Sequence, residues 1–167
     1  MNAKLPSREM DTLPTGTVTF LFTDIEGSTS LAQQFPAELS ALLARHHAIL
    51  HQAIKAHHGH VFQIIGDAFC AAFHTASDAL QAALDAQHVL QHEPWNPAPI
   101  KVRMGIHTGS AQAGAVEERA GGYVGYLTVT RGERGMSAAD GGQGFLSNPT
   151  ARLVPCGMAA RVDLRAF

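Results

Sequence analysis

The stretch that decides the fold is TVTFLFTDIEGSTS, residues 17–30. Its first half is apolar and rich in β-branched and aromatic residues, which is typical of a buried strand. The strand then runs directly into acidic, glycine and hydroxyl residues, namely Asp24, Glu26, Gly27, Ser28 and Thr29. That ending suits a rigid strand that presents carboxylates to a metal ion and backbone amides to a phosphate. A helix capped by Ser28 or Thr29 is predicted to follow.

Composition predicts a single domain and excludes some partners. The chain has 167 residues, 46% of them apolar, which is enough to bury one core. Twelve basic against fourteen acidic residues give a net charge of -2, which argues against nucleic acid or an anionic membrane as the main partner. Cys70 and Cys156 lack disulfide or metal-ligand spacing, and Cys70 sits in an apolar run as a core thiol. With no leader or membrane-spanning segment in the sequence, we expect a cytoplasmic protein.

The order of elements predicts an α/β fold. After a flexible lead-in over 1–15, the domain is expected to occupy 16–167. Strand HVFQIIG and strand DAFCAAF are separated by almost nothing, which predicts a tight hairpin with Asp67 at its tip. Helices are predicted over SLAQQF, over a long run that Gly59 ends, over an alanine-rich run capped by Thr75 or Ser77, and over YLTVTRGERGMSAA. The pattern indicates a ferredoxin-like or palm-type sandwich, with a mainly antiparallel sheet flanked by helices.

In such a sandwich, Asp24 at the end of the first strand and Asp67 at the hairpin tip can lie side by side. Two carboxylates at close range repel each other, so the pair is costly unless a cation lies between them. Hard oxygen ligands favour Mg²⁺ or Mn²⁺, and the carbonyl of Ile25 could add a ligand. The amides of residues 26–29 would then face a polyphosphate. The plainer alternative is that Asp24 caps a turn and Asp67 merely turns a hairpin.

The motifs FTDIEGST, GDAFCAAF, VRMGIHTG and MSAADGGQGFLS resemble, in order and spacing, the catalytic domain of class III nucleotide (adenylate/guanylate) cyclases. The resemblance runs from about Thr17 to the end of the chain. It implies two divalent metal ions, Mg²⁺ or Mn²⁺, bound by Asp24 and Asp67 with the Ile25 carbonyl. It also implies that a nucleoside triphosphate is cyclised by attack of its 3′-hydroxyl on the α-phosphorus. The family domain usually continues for another strand or two, so the chain is expected to lack those last strands.

Several positions depart from the family pattern. Gln63 stands where a lysine usually reads the base, and Gly122 or Tyr123 where an aspartate usually does. On the last catalytic helix, Thr130 replaces an asparagine that orients the ribose, whereas Arg134 matches the arginine that stabilises charge on the phosphate. Gln63 can donate and accept, so it could read the edge of adenine or of guanine, and the base preference stays open, a pyrimidine included. ATP is the simplest substrate.

The resemblance also implies a head-to-tail homodimer with its active sites at the subunit interface. A second hypothesis is a catalytically degenerate cyclase-homology domain that binds nucleotide or transmits a signal by dimerising. A third, another palm-type phosphotransferase, lacks support because no GGDEF-like run or basic template surface is present. The histidines of RHHAILH and HHGH are interpreted as solvated positions on a helix and its exit turn.

Overall fold

A computed structural model describes residues 13–113, 123–124, 140–155 and 164–166. Its strands are β1 Gly16–Ile25, β2 His60–Ile65, β3 Ala68–Phe73, β4 Val102–Ala113, β5 Tyr123–Val124, β6 Gly144–Leu146 and β7 Leu164–Ala166. Its helices are α1 Ser28–Gln34, α2 Leu39–Ala56, α3 Ala76–His92 and α4 Asn148–Ala151. The predicted helix over 126–139 and most of the lead-in lie outside the described residues.

The seven described strands form one mixed sheet in the order β2-β3-β1-β4-β6-β7, with β5 paired to β4. The pairs β2–β3, β3–β1 and β1–β4 are antiparallel, and β6 joins β4 and β7 in parallel. The predicted α/β sandwich with a mainly antiparallel sheet is confirmed. The hairpin is also confirmed, because only Gly66 and Asp67 separate β2 from β3, and Gly66 has a left-handed φ of 61°.

Each face of the sheet carries its own apolar cluster. On one face, α2 and α3 pack against alternate residues of the central strands, including Leu21, Phe69 and Met104. On the other face, Phe20 and Phe22 pack with β3 and with Tyr123. Cys70 is buried in this second cluster, so its assignment as a core thiol is confirmed. The period-two alternation of β1 accounts for both clusters, since successive side chains point to opposite faces.

Helix starts differ from the prediction in one case. α1 begins after Gly27, which has a left-handed φ of 67°, and no side chain caps the helix. The prediction of a Ser28 or Thr29 cap is therefore wrong: both lie inside the first turn, because glycine makes the sharp bend that a capping residue would otherwise shape. The cap of α3 is confirmed, with Thr75 Oγ1 accepting from the Asp78 amide at 3.1 Å. None of the helices in the described ranges has the length and apolar character needed to cross a membrane.

At the end of α2, the neighbouring residues His58 and Gly59 meet two different structural requirements. The Gly59 amide donates to the Ile54 carbonyl at 2.9 Å, and His58 takes the left-handed conformation with φ 59°. Gly59 has no positive φ, but a Cβ built on it would lie 2.4 Å from Phe73 Cε1. Glycine at 59 is therefore needed for space, and the left-handed turn falls on the residue before it.

This division predicts opposite effects for two neighbouring substitutions. His58→Gly should raise the free energy of unfolding by up to about 1 kcal/mol, because glycine adopts the left-handed region without strain. Gly59→Ala should lower it by roughly 1–3 kcal/mol through overpacking against Phe73. Urea denaturation of both variants measures the two values. A Gly59→Ala variant as stable as the wild type would show that the Phe73 ring is free to move aside.

One histidine of RHHAILH is not solvated. His46 is fully buried on the apolar face of α2, and its ring meets Phe69 edge-on at 5.9 Å. Neither ring nitrogen has a hydrogen-bond partner among the described residues. Burial, with a smaller contribution from His47, lowers the pKa of His46 to about 4. The interpretation of this histidine as solvated is wrong, because its helical position falls in line with Leu42, Ile49 and Leu50.

The buried ring predicts acid sensitivity. In the unfolded chain His46 should titrate near 6.5, whereas in the fold its pKa is about 4. Stability should therefore fall as the pH drops from about 6.5 towards 4, since the unfolded state binds the extra proton. A His46→Leu variant should lose less stability over this interval, as measured by urea denaturation at several pH values. Parallel curves for the two proteins would contradict the assignment.

Candidate active site

Strand pairing brings the two predicted metal ligands to the same end of the sheet. β1 and β3 are antiparallel, and Thr23 lies opposite Phe69. Asp24 follows Thr23 at the carboxyl end of β1, and Asp67 precedes β3 at the tip of the hairpin. Both aspartates are half-buried. The fold thus supports each carboxylate from a rigid strand.

A hydrogen bond fixes Asp67 against β1. Its Oδ2 accepts from the Ile25 amide at 2.6 Å. That amide belongs to the peptide joining Asp24 to Ile25, so the Asp67 carboxylate lies beside the backbone of the other acid. Along the chain, the Asp24 carbonyl precedes this amide and the Ile25 carbonyl follows it. Asp67 thus lies beside the Asp24–Ile25 peptide, and a metal site shared by the two carboxylates stays a prediction.

A cation lies next to Asp24, and it belongs to the protein. Arg103 donates from Nε to Asp24 Oδ1 at 2.8 Å and from a terminal nitrogen to Oδ2 at 2.5 Å. The two residues are direct partners in the β1–β4 register. The hydrogen bond to Asp24, followed by the charges of Asp24, Glu26 and Asp67, raises the pKa of Arg103. The Asp24 carboxylate is thus compensated by a guanidinium of the protein itself, which is a cation other than a metal ion.

The turn after β1 contributes fewer amides than the sequence predicts. The Glu26 amide donates to the Lys101 carbonyl at 2.9 Å, so it is not free for a phosphate. The amides of Gly27, Ser28 and Thr29 lie at the start of α1, where backbone donors have no partner within the helix. The Glu26 carboxylate lies against Gly141, where a Cβ would come within 2.3 Å of it.

Comparison with known proteins identifies the domain. Residues 10–164 match the family model described as the adenylate and guanylate cyclase catalytic domain. The chain belongs to this cyclase family. An uncharacterized protein of Mycobacterium tuberculosis is 41% identical over 143 residues, which are 84% of this chain and 46% of that protein. An adenylate cyclase of Lachancea kluyveri is 32% identical over 158 residues, covering 81% of this chain and 8% of that protein.

Solved structures agree with the fold. A Trypanosoma brucei adenylate cyclase in its monomeric state superposes with a TM-score of 0.80 at 24% identity, covering 90% of this chain and 81% of that chain. The guanylyl cyclase Cya2 gives a TM-score of 0.74 at 24% identity, covering 85% of this chain and 81% of that chain. The chain spans about half of the length of the mycobacterial relatives that it matches, since the match covers 46% of each of them.

Two of the predicted base-reading positions, Gln63 and Tyr123, lie on described strands. Gln63 is half-buried on the edge strand β2, next to a register shift. Tyr123 is buried with its ring 4.9 Å from that of Phe62, and its hydroxyl donates to the Pro14 carbonyl at 2.8 Å. Burial raises the pKa of Tyr123. Its hydroxyl is therefore already occupied, and a role of Tyr123 in base recognition stays a prediction.

The remaining predicted site residues fall outside the described part of the chain. They are Gly122, Thr130 and Arg134. Their roles in base, ribose and phosphate recognition stay predictions.

The described donors fit a divalent metal in their chemistry. Two carboxylates and the Ile25 carbonyl are hard oxygen ligands, which Mg²⁺ and Mn²⁺ prefer, completing their shells with water and substrate phosphates. Among the residues that the structure describes, no group of three or more His, Cys, Asp or Glu side chains could hold a metal by itself. A metal at Asp24 has to share or displace the Arg103 contact, since both carboxylate oxygens accept from that guanidinium.

Arg103 is the site residue that sequence reasoning missed. It lies within VRMGIHTG, where Val102 and Met104 point into the core and a charged residue between them is typical of a solvent-facing strand position. A usable signal was available: an arginine on the strand that pairs with β1 can reach an acid at the end of β1.

Proposed function

We propose that this cyclase domain converts a nucleoside triphosphate, ATP in the first instance, into a 3′,5′-cyclic nucleotide and pyrophosphate. The observation that carries the proposal is the Asp67 carboxylate bound to the peptide between Asp24 and Ile25. Two acids on adjacent strand ends of a cyclase fold form a site for divalent ions and triphosphate. The Lachancea kluyveri relative, described as an adenylate cyclase, supports ATP.

In the proposed reaction the ribose 3′-oxygen forms a bond to the α-phosphorus, the bond from that phosphorus to the β-phosphate bridging oxygen breaks, and the hydroxyl proton leaves to water. Asp24, Asp67 and the Ile25 carbonyl would hold two divalent ions, Mg²⁺ or Mn²⁺. When bound, such ions lower the pKa of the 3′-hydroxyl and neutralise phosphate charge.

The other proposed roles belong to the chain's own donors. The amides of Gly27, Ser28 and Thr29 bind phosphate oxygens at the start of α1. Arg134 stabilises the charge that develops on the α-phosphate, and Thr130 orients the ribose by one hydrogen bond. Arg103, once Asp24 turns to a metal ion, is left with a free guanidinium fork beside the triphosphate.

Base recognition is assigned to Gln63 with Gly122 or Tyr123. An amide side chain both donates and accepts, so Gln63 can pair with the edge of adenine or of guanine. ATP is proposed because the adenylate cyclase relatives include proteins 32% and 30% identical to this chain. GTP turnover at a rate comparable to that of ATP would show that the base site around Gln63 accepts both purines.

The active unit is proposed to be a head-to-tail homodimer. Ile64 and Ile65, beside the Asp67 turn, are 41% and 60% exposed, which is unusual for large apolar side chains next to an active site. Related guanylyl cyclase domains of Blastocladiella emersonii have been solved in dimeric and in monomeric form. A partner covering the hairpin tip would bury both isoleucines.

A specific observation favours a second function, that of a degenerate cyclase-homology domain which binds nucleotide or a partner without turnover. Asp24 is already neutralised by Arg103, so the acid pair is stable without a metal ion. In that case the domain would retain the fold and the dimer contact but not the chemistry.

The experiment that separates the two functions is incubation of the purified chain with ATP, GTP, CTP and UTP in turn, with Mn²⁺. Products are resolved by liquid chromatography and mass spectrometry, and Asp67→Ala is run beside the wild type. The proposal expects cyclic AMP and pyrophosphate in equal amounts from the wild type alone. A folded protein that binds nucleotide yet forms no cyclic product from any of the four would establish the second function.

A further inference from the structure

A cavity of about 390 Å³ lies between the end of α3, the loop over residues 93–100 and the start of β4. Its lining is mainly apolar and includes Leu90, Trp95, Pro99 and Ile100, with Gln91 and Lys101 as polar residues. Leu90 and Ile100 are buried, at 2% and 4% exposure, and form its floor. Its size and its lining are those of small-molecule sites. Neither Asp24 nor Asp67 lines it, so it is separate from the site described above.

The walls of the cavity are held in place without a ligand. The Trp95 indole nitrogen donates to the Leu90 carbonyl at 2.9 Å, which fixes the ring. Glu93 accepts two hydrogen bonds from Arg45, both at 2.7 Å, which anchors the loop to α2. A preformed site loses little free energy to ordering when a ligand binds.

The charged side chain of this cavity that has no ion pair among the described residues is a positive one. Glu93 is neutralised by Arg45, whereas Lys101 forms no ion pair with any described residue. The Glu26 carboxylate approaches the base of the Lys101 side chain near Gly141 without an ion pair between them. The Gln91 side-chain amide, which also lines the cavity, is a second possible donor to a ligand. A single cation next to an aromatic and aliphatic wall favours a ligand with one negative charge and a flat apolar body.

We propose that this cavity binds a small aromatic carboxylate, with its ring against Trp95 and the aliphatic floor and its carboxylate on Lys101 and Gln91. The cavity also adjoins the turn that follows β1. The Lys101 carbonyl accepts from the Glu26 amide, and the Gly142 amide donates to the Val102 carbonyl. An occupant would therefore press on the backbone that positions the end of β1, so the site is placed to influence the cyclase site.

Trp95 is the only tryptophan in the chain, so its fluorescence reports on this cavity alone. The 167-residue chain is titrated with benzoate, and with benzamide as the neutral molecule of the same shape. Benzoate should change the emission in a saturable way, with a dissociation constant on the order of millimolar for so small a ligand. Benzamide should bind about tenfold more weakly, because it lacks the charge-assisted hydrogen bond.

Variants test the role of the lysine. Lys101→Gln should weaken benzoate binding about tenfold, and Lys101→Arg should keep it within about threefold. Lys55→Gln, at an exposed lysine on α2, should leave it unchanged. Melting curves check that each variant is folded, and the benzoate–benzamide comparison on the wild type needs no variant. Absence of a saturable change, equal affinity for benzamide, or equal weakening by Lys55→Gln would overturn the proposal.

Discussion

Asp67→Asn should lower the rate of cyclic-nucleotide formation on the order of a thousandfold, since a metal ligand contributes several kcal/mol of charge stabilisation to the transition state. The fold should persist, because the asparagine oxygen can still accept from the Ile25 amide that Asp67 now binds. The substitution therefore removes a negative charge and little else. Rates are measured with ATP and Mn²⁺, and melting temperature is measured on the same samples.

Asp85→Asn is the matched control. Asp85 lies on α3 with 58% of its side chain exposed, bound to His57 and away from the β1 end. It should keep the wild-type rate within about twofold, since surface ion pairs contribute little. Mn²⁺ binding, followed by electron paramagnetic resonance, should weaken in Asp67→Asn and stay unchanged in Asp85→Asn. An Asp67→Asn protein that binds Mn²⁺ as tightly as the wild type would remove Asp67 from the metal site.

Arg103→Gln should move metal affinity and activity in opposite directions. Mn²⁺ should bind about tenfold more tightly, because it no longer competes with a bidentate guanidinium for Asp24. The catalytic rate should fall at least about tenfold, because the guanidinium that Arg103 is proposed to place beside the triphosphate is lost. Without divalent ions the free energy of unfolding of the variant should be about 1–2 kcal/mol lower than that of the wild type. This figure already allows for the partial exposure of the Arg103–Asp24 pair to solvent. Saturating Mn²⁺ should recover that loss.

The chain offers a matched pair for this comparison. Arg45 and Glu93 form a second bidentate ion pair, in which Arg45 donates to Glu93 and not to Asp24. Arg45→Gln should leave Mn²⁺ affinity unchanged, as measured by isothermal titration calorimetry. Unchanged or weaker Mn²⁺ binding in Arg103→Gln would contradict a competition between the guanidinium and the metal.

The parts of the fold that follow local rules were predictable from sequence. The alternation of β1, the two-residue separation of β2 and β3, and the Thr75 cap each depend on neighbours in the chain. Because Asp24 ends β1 and Asp67 lies at the hairpin turn, the placement of Asp67 beside the end of β1 followed from topology. The cyclase motifs then predicted the family that residues 10–164 match.

The rest depended on strand register and packing, which no local pattern contains. Arg103 faces Asp24 because β4 pairs with β1 at that register. The Glu26 amide is occupied because Lys101 presents its carbonyl there. His46 is buried because the helix phase, rather than its polarity, decides which residues face Phe69. A polar residue at a buried position is misread when only its chemistry is considered.

Whether Asp24 and Asp67 together bind a divalent ion can be tested by anomalous diffraction from crystals of the chain soaked with MnCl₂ and a slowly reacting ATP analogue. We expect a manganese peak about 2.1 Å from carboxylate oxygens of both Asp24 and Asp67, with Arg103 turned from Asp24 towards the phosphates. Nucleotide bound in the crystal with no manganese peak there, and Arg103 still bidentate on Asp24, would contradict this expectation.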